Sequence, residues 1–131
     1  MNDEDFVQAF LTGTLPPTQF HHSDHLRLAW VLIRLTGVEE AARRITSGIR
    51  YFATAHGHAE KYHDTMTRFW VRIVGHAVAR RPDISTFDEF LAAFPLLLEK
   101  DLPYRHWSRE TMLSPDARAR WVEPDIQTLP A

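Results

Sequence analysis

The length, composition and charge of this chain restrict what it can be. Its 131 residues are 44% hydrophobic and 11% aromatic, which is enough for one domain with a packed core and argues against disorder. A net charge of −2 gives no general attraction to nucleic acid, and the lack of cysteine excludes disulfides, thiolate nucleophiles and cysteine-based metal sites. The acidic first residues do not fit a leader sequence, and the apolar runs are far shorter than the ~20 residues that span a membrane. We therefore expect a cytoplasmic protein that engages neither nucleic acid nor a membrane.

Helical periodicity dominates the chain as far as Asp101. The clearest run lies at about 20–35, where Leu26, Ala29 and Ile33 recur with the spacing of one helix face. A short helix is predicted at about 3–13, and the main helices at about 20–35, 38–55 and 59–80. A fourth main helix begins after Asp83 or Ser85 and is kinked or ended by Pro95, with a helical restart open over 96–100. Glycines are placed to end three of these helices, namely Gly13, Gly37 and Gly57.

The chain after Asp101 is less regular. Ser108 is placed to cap a short turn, and Ser114-Pro115 is a strong helix start, because serine caps free N–H groups and proline lacks one. A short helix with Trp121 near its end is expected, followed by a tail that extends over the surface. The predicted fold class is all-α: a single domain over residues 1–131, a helical bundle of four main helices plus short C-terminal helices and an extended tail.

Three histidines lie on the predicted core-facing stripes. The apolar stripe of the 20–35 helix extends backward to His22 and His25, and His63 joins the inner face of the 59–80 helix. A buried imidazole needs a partner for each ring nitrogen, and residues three apart on a helix are neighbours. His22 and His25 can therefore direct two imidazoles at one ion, with His63 as a third ligand. Since three histidine nitrogens suit zinc, and two with a carboxylate suit non-haem iron, we predict a divalent metal site of one of these kinds.

Two residues beside His63 are candidates for catalysis. Asp64 diverges from His63 by about 100° on a regular helix, so it is better suited to orienting a ligand, or to acting as base towards a metal-bound water, than to binding the same ion. Tyr62 could serve as a general acid or pack in the core with its hydroxyl bonded. The reaction and its small-molecule substrate are not indicated by the sequence.

Other polar residues have weaker patterns. His56 and His58 flank Gly57 and would complete a metal site if their loop folded inward. Arg118 either binds an anion or, as the stronger interpretation, anchors the C-terminal tail through Asp125. The remaining histidines, His21, His76 and His106, are expected to have ordinary structural partners.

Two alternatives to a metalloenzyme stay open. In the first, the histidines and aromatic residues line a metal-free pocket for a small molecule, with imidazole as donor, acceptor or pH-sensitive group. In the second, the domain is structural or binds a partner, and the histidines are bonded to the backbone. The oligomeric state is not indicated in any of these cases.

The histidine motifs resemble those of a group of small, uncharacterised bacterial helical proteins. The matching stretches are Phe20-x-His22-x-x-His25, Tyr62-His63-Asp64-Thr65-x-Thr67, Ser114 to Arg118, and Pro124-Asp125 through Leu129-Pro130. The likeness covers most of the chain and implies that His22, His25 and His63 are the candidate site residues, but it implies no activity. Position 64 is more often Glu in that pattern.

A weaker likeness is to HD-type phosphohydrolases, which bind metal through a His…His-Asp…Asp pattern. His63-Asp64 supplies the dipeptide, and His22 or His25 supplies an upstream histidine. The apolar run that usually precedes the dipeptide is replaced by Glu60-Lys61-Tyr62, and no clear final Asp follows. This likeness therefore ranks below the first.

Overall fold

Seven α-helices and no strand are present in the computed structural model, which describes residues 1–130. The helices are α1 (Asp3–Leu11), α2 (His22–Thr36), α3 (Val38–Ala55), α4 (Asp64–Arg80), α5 (Phe87–Ala93), α6 (Arg109–Met112) and α7 (Pro115–Ala119), with 3₁₀ turns at Pro17–Gln19, Ala59–Lys61, Pro95–Leu98 and Leu102–Arg105. The predicted all-α class is confirmed. Within residues 1–130, no helix is both long enough and apolar enough to cross a membrane.

The helix ends follow the predicted signals. Gly37 separates α2 from α3 at a φ of 89°, and Gly57 follows α3 at a φ of 74°, both in a region that side chains disfavour. The Ser108 and Ser114 side chains accept the N–H groups of Thr111 and Ala117, so each caps a short helix as predicted.

The start of α4 differs from the prediction. The segment 59–63 is not part of the helix, because Ala59–Lys61 forms a 3₁₀ turn and Tyr62 is extended. His63 is the N-cap of α4, with φ −136° and ψ 111°, and its side chain accepts the N–H of Met66. An apolar stripe cannot locate such a boundary, since an N-cap side chain projects along the same face as the first helical turn.

The core is centred on α2, which contacts α1, α3 and α4. Nearly every residue from Leu26 to Ile33 is buried, so the helix is covered on most of its circumference. The largest fully buried side chains of the core include the aromatic Phe10, Phe69, Phe90 and Trp107, of which Phe90 packs against Trp30 of α2. This burial fixes the N-terminal turn of α2 beside the start of α4.

The C-terminal segment is tied to α4 by specific hydrogen bonds. The Thr65 hydroxyl donates to the Arg120 carbonyl at 2.7 Å and accepts the Val122 N–H at 3.1 Å, and the Trp107 indole N–H donates to the Val122 carbonyl at 2.9 Å. The predicted link between Arg118 and Asp125 was wrong. Arg118 donates to the Glu60 carbonyl, and Asp125 instead accepts from Ser108 and Thr111.

Gly48 permits the close approach of α1 and α3. A Cβ atom there would overlap the Phe10 ring, lying 2.8 Å from its Cζ, and Phe10 is fully buried between Phe20 and Phe52. We expect Gly48→Ala to lower the free energy of unfolding by about 1–2 kcal/mol, since overpacking outweighs the gain in helix propensity. Urea denaturation measures this difference, with the exposed Ser47→Ala as the control on the same helix. A Gly48→Ala variant as stable as the wild type would contradict the prediction.

Candidate functional site

A half-open cavity of about 320 Å³ lies between α2, α3 and the start of α4. Its polar lining consists of His22, His25, Lys61, Tyr62, His63 and Thr67. Its apolar lining consists of Ala29, Ile45, Ile49, Met66, Trp70 and Val71. The structure thus brings together the three histidines and the tyrosine that the sequence singled out, while Asp64 is not part of the lining. No Asp or Glu within residues 1–130 lines this cavity.

His25 is the least satisfied of the three histidines. Its ring stacks on Phe20, with centroids 3.9 Å apart, and it makes no hydrogen bond to any residue in the described range 1–130. Burial, followed by the charge of nearby His22, lowers the pKa of His25 to about 4, although Asp24 opposes the shift. At neutral pH, the cavity therefore contains an uncharged imidazole that can both donate and accept a hydrogen bond.

His22 has one ring nitrogen bonded. Its Nε2–H donates to the Leu97 carbonyl at 2.9 Å, since a carbonyl can only accept, and the ring meets Trp70 edge-on with centroids 4.5 Å apart. In this tautomer Nδ1 keeps its lone pair. The His22 ring is thereby held in place, with one acceptor available.

His63 uses both ring nitrogens within the protein. Nδ1 accepts the N–H of Met66 at 3.1 Å, so the proton must be on Nε2, which donates to the Met112 carbonyl at 2.6 Å. The residue therefore caps α4 and links it to α6. In this arrangement His63 has no lone pair to give to an ion.

Asp64 is the centre of a polar cluster behind the cavity. It is buried and accepts from the Tyr62 hydroxyl at 2.5 Å, from Arg68 Nε at 2.7 Å and from Arg50 at 3.4 Å. Burial raises the pKa of the Asp64 carboxyl, but the hydrogen bonds from Tyr62 and Arg68 outweigh burial, so the net shift is downward. A carboxylate engaged by three donors is a weak proton acceptor.

Tyr62 borders the cavity with its hydroxyl turned to Asp64. Burial and the hydrogen bond to Asp64 raise the pKa of Tyr62 to about 12, with the nearby Arg50 opposing the shift. Its proton is thus held towards Asp64 at neutral pH. Acid or base roles for Tyr62 and Asp64 stay predictions that the geometry does not favour.

The predicted metal ligands are only partly assembled. Among residues 1–130, no group of three His, Asp or Glu side chains is placed to hold a metal ion. His56 and His58 do not line the cavity: the His56 ring packs edge-on against Phe52, and His58 is exposed near Glu60. A third ligand beside His22 and His25 would require His63 to leave its backbone partners.

Sequence reasoning missed several residues that shape the cavity. Lys61 contributes the only ammonium group of the cavity lining within residues 1–130. Trp70 contributes an indole ring to the lining, and Met66 contributes a thioether. The signal for Lys61 was available, because it precedes the Tyr62-His63 pair directly. Nothing in the sequence indicates the carbonyl partners, Leu97 and Met112, since they are distant along the chain.

Comparison of the chain with protein-family models, with curated proteins and with solved structures finds no match. The resemblance of its histidine motifs to a bacterial family therefore stays a prediction. The function is therefore inferred from the residues of the site itself.

Proposed function

We propose that this protein is a binding module for a small organic molecule, which occupies the cavity between α2, α3 and α4 without a resident metal. The observation that carries the proposal is His25, a largely buried, uncharged imidazole on the cavity lining that has no hydrogen-bond partner among residues 1–130. A polar group taken out of water without a partner costs about 1–3 kcal/mol. The His25 ring nitrogens still reach the cavity, so a ligand that covers them avoids this cost only if it offers them a hydrogen bond.

The walls of the cavity suit a small, mainly apolar ligand. Its volume is near the lower end of the about 300–1,000 Å³ typical of ligand sites, and its lining combines aliphatic side chains with a few polar groups. Two of the polar side chains are held in place, because His22 is bonded to Leu97 and His63 to Met66 and Met112. Such preorganisation lowers the entropic cost of binding.

Metal binding at His22 and His25 is a second candidate. The two residues are three apart at the start of α2, and Nδ1 of His22 and both nitrogens of His25 have no hydrogen-bond partner among residues 1–130. Zinc or iron held there would lower the pKa of a bound water. This candidate is weaker because His63 already uses both of its nitrogens.

The variant His25→Leu distinguishes these candidates. We expect an aromatic fragment library to contain compounds that raise the melting temperature of the wild type but not of His25→Leu, since the variant lacks the cavity imidazole. The variant itself should be as stable as the wild type within about 1 kcal/mol, or more stable, because leucine of similar size needs no polar partner.

The control variant is His58→Leu, which changes an exposed histidine outside the cavity and should keep the fragment response. Added Zn²⁺ or Fe²⁺ should not stabilise chelator-treated wild type. Stoichiometric metal in tag-free protein, lost in His22→Ala and His25→Ala, would replace the proposal with the second candidate. A library without any compound that depends on His25 would overturn the proposal.

A further inference from the structure

The charge of the cavity lining is positive. Lys61 is exposed at the end of the 3₁₀ turn Ala59–Lys61, so its ammonium group lies at the entrance, and it has no carboxylate partner among residues 1–130. Nearby Arg50 is different, because it pairs with Asp64 and stacks on the Tyr62 ring. With no acidic side chain in the described lining, one cation is left for a ligand.

Two polar residues of the lining, Lys61 and His25, differ in exposure and in charge. Lys61 is solvated at the entrance, whereas His25 is largely buried and uncharged. Placing an anion beside Lys61 leaves the anion partly hydrated, but placing it beside His25 removes its water without a compensating charge. A bound anion is therefore expected to lie towards the exposed Lys61, with an uncharged hydrogen-bonding group beside the more buried His25.

The apolar part of the cavity lining suits an aromatic ring. Trp70 and Met66 line it beside the aliphatic Ile45 and Ile49, and both aromatic and thioether groups make favourable contacts with ring edges and faces. No arginine lines this cavity within residues 1–130, so the bidentate guanidinium hydrogen bonds that favour a phosphate dianion are missing. A single ammonium matches a monoanion such as a carboxylate.

We propose that the ligand of this cavity is a hydroxylated aromatic acid, with its carboxylate at Lys61, its ring between Trp70 and Ile49, and its hydroxyl bonded to His25. This inference rests on the proposed small-molecule binding and names the chemical class. The hydroxyl can donate to the imidazole or accept from it, which satisfies a group that is otherwise without a partner.

Calorimetry with three matched probes tests the inference. We expect 4-hydroxyphenylacetate to bind the wild type more tightly than phenylacetate by about tenfold or more, because phenylacetate leaves His25 unpaired. It should bind more tightly than 4-hydroxyphenylacetamide by up to about fivefold, the range of an exposed ion pair. Raising the salt concentration should weaken the binding of 4-hydroxyphenylacetate but not the binding of 4-hydroxyphenylacetamide.

The chain offers a matched control for the charge, since Lys61 and Lys100 are its only lysines. Lys61→Gln should abolish the preference for the acid over the amide, while Lys100→Gln should keep it. If the three probes bind equally, or if none binds while neutral fragments still depend on His25, the acid assignment is overturned and the binding function stands. If no fragment at all depends on His25, the proposed function fails as well.

Discussion

His63→Ala is expected to lower the free energy of unfolding by about 2–4 kcal/mol, a far larger effect than a change at His25. Two losses add up in this variant. Removing the N-cap of α4 costs about 1 kcal/mol, and leaving the Met112 carbonyl without its donor costs about 1–3 kcal/mol. Urea denaturation at neutral pH measures the difference, with His58→Ala as an exposed control that should change stability by less than about 0.5 kcal/mol.

His63→Asn separates the two contributions. Asparagine is a good N-cap, so it should restore the cap on Met66 but not the bond to Met112. Its stability should therefore lie between those of wild type and His63→Ala. A His63→Ala variant as stable as the wild type would mean that the ring nitrogens are not engaged as described, and His63 would again be available to an ion or ligand.

The contrast between His63 and His25 shows where sequence reasoning reached its limit. Hydrophobic periodicity places both residues on core-facing stripes, because it reports which face of a helix is buried. It does not report hydrogen bonds, and the Met112 carbonyl is 49 positions from His63 while the Leu97 carbonyl is 75 positions from His22. The region of the site could therefore be predicted from the sequence. Which histidine rings form hydrogen bonds within the protein could not.

The fold itself was more accessible to prediction. The bounds of α3 match the predicted 38–55, because Gly37 and Gly57 mark its ends and an apolar stripe runs between them. The caps at Ser108 and Ser114 were equally local signals. Arg118 was misassigned because an arginine side chain can reach many acceptors, and only the packing of α7 against α4 brings it to Glu60.

Asp64→Asn is expected to lower the free energy of unfolding by about 2–3 kcal/mol at neutral pH. The carboxylate accepts charge-assisted hydrogen bonds from Arg68 and Arg50, and bonds of that kind contribute about 1.5–3 kcal/mol. Asparagine offers one acceptor oxygen instead of two. Its NH₂ group would lie against the N–H and O–H groups that now donate to Asp64, so those donors would lose their acceptor. The exposed variant Asp88→Asn should differ from the wild type by no more than about 0.5 kcal/mol.

The difference in stability between the wild type and Asp64→Asn should depend on pH. Because the pKa of Asp64 is lowered in the folded state, the unfolded chain binds its proton first as the pH falls. The stabilisation by the carboxylate is thus complete above the unfolded pKa of about 4 and is lost as the pH falls from there towards the lower folded pKa. The difference between wild type and Asp64→Asn should be largest at pH 7 and should narrow progressively below about pH 4, as measured by urea denaturation at a series of pH values.

Tyr62→Phe tests the origin of that shift. The Tyr62 hydroxyl is one of the donors that lower the pKa of Asp64, so its removal should raise that pKa and move the loss of stability to higher pH. If the stability of Tyr62→Phe depends on acid pH as that of the wild type does, the tyrosine hydroxyl does not lower the pKa of Asp64. Its predicted role as a general acid at the cavity would then regain support. The expected upward movement would instead confine Tyr62 and Asp64 to the support of the cavity wall, and leave His25 and Lys61 to meet the ligand.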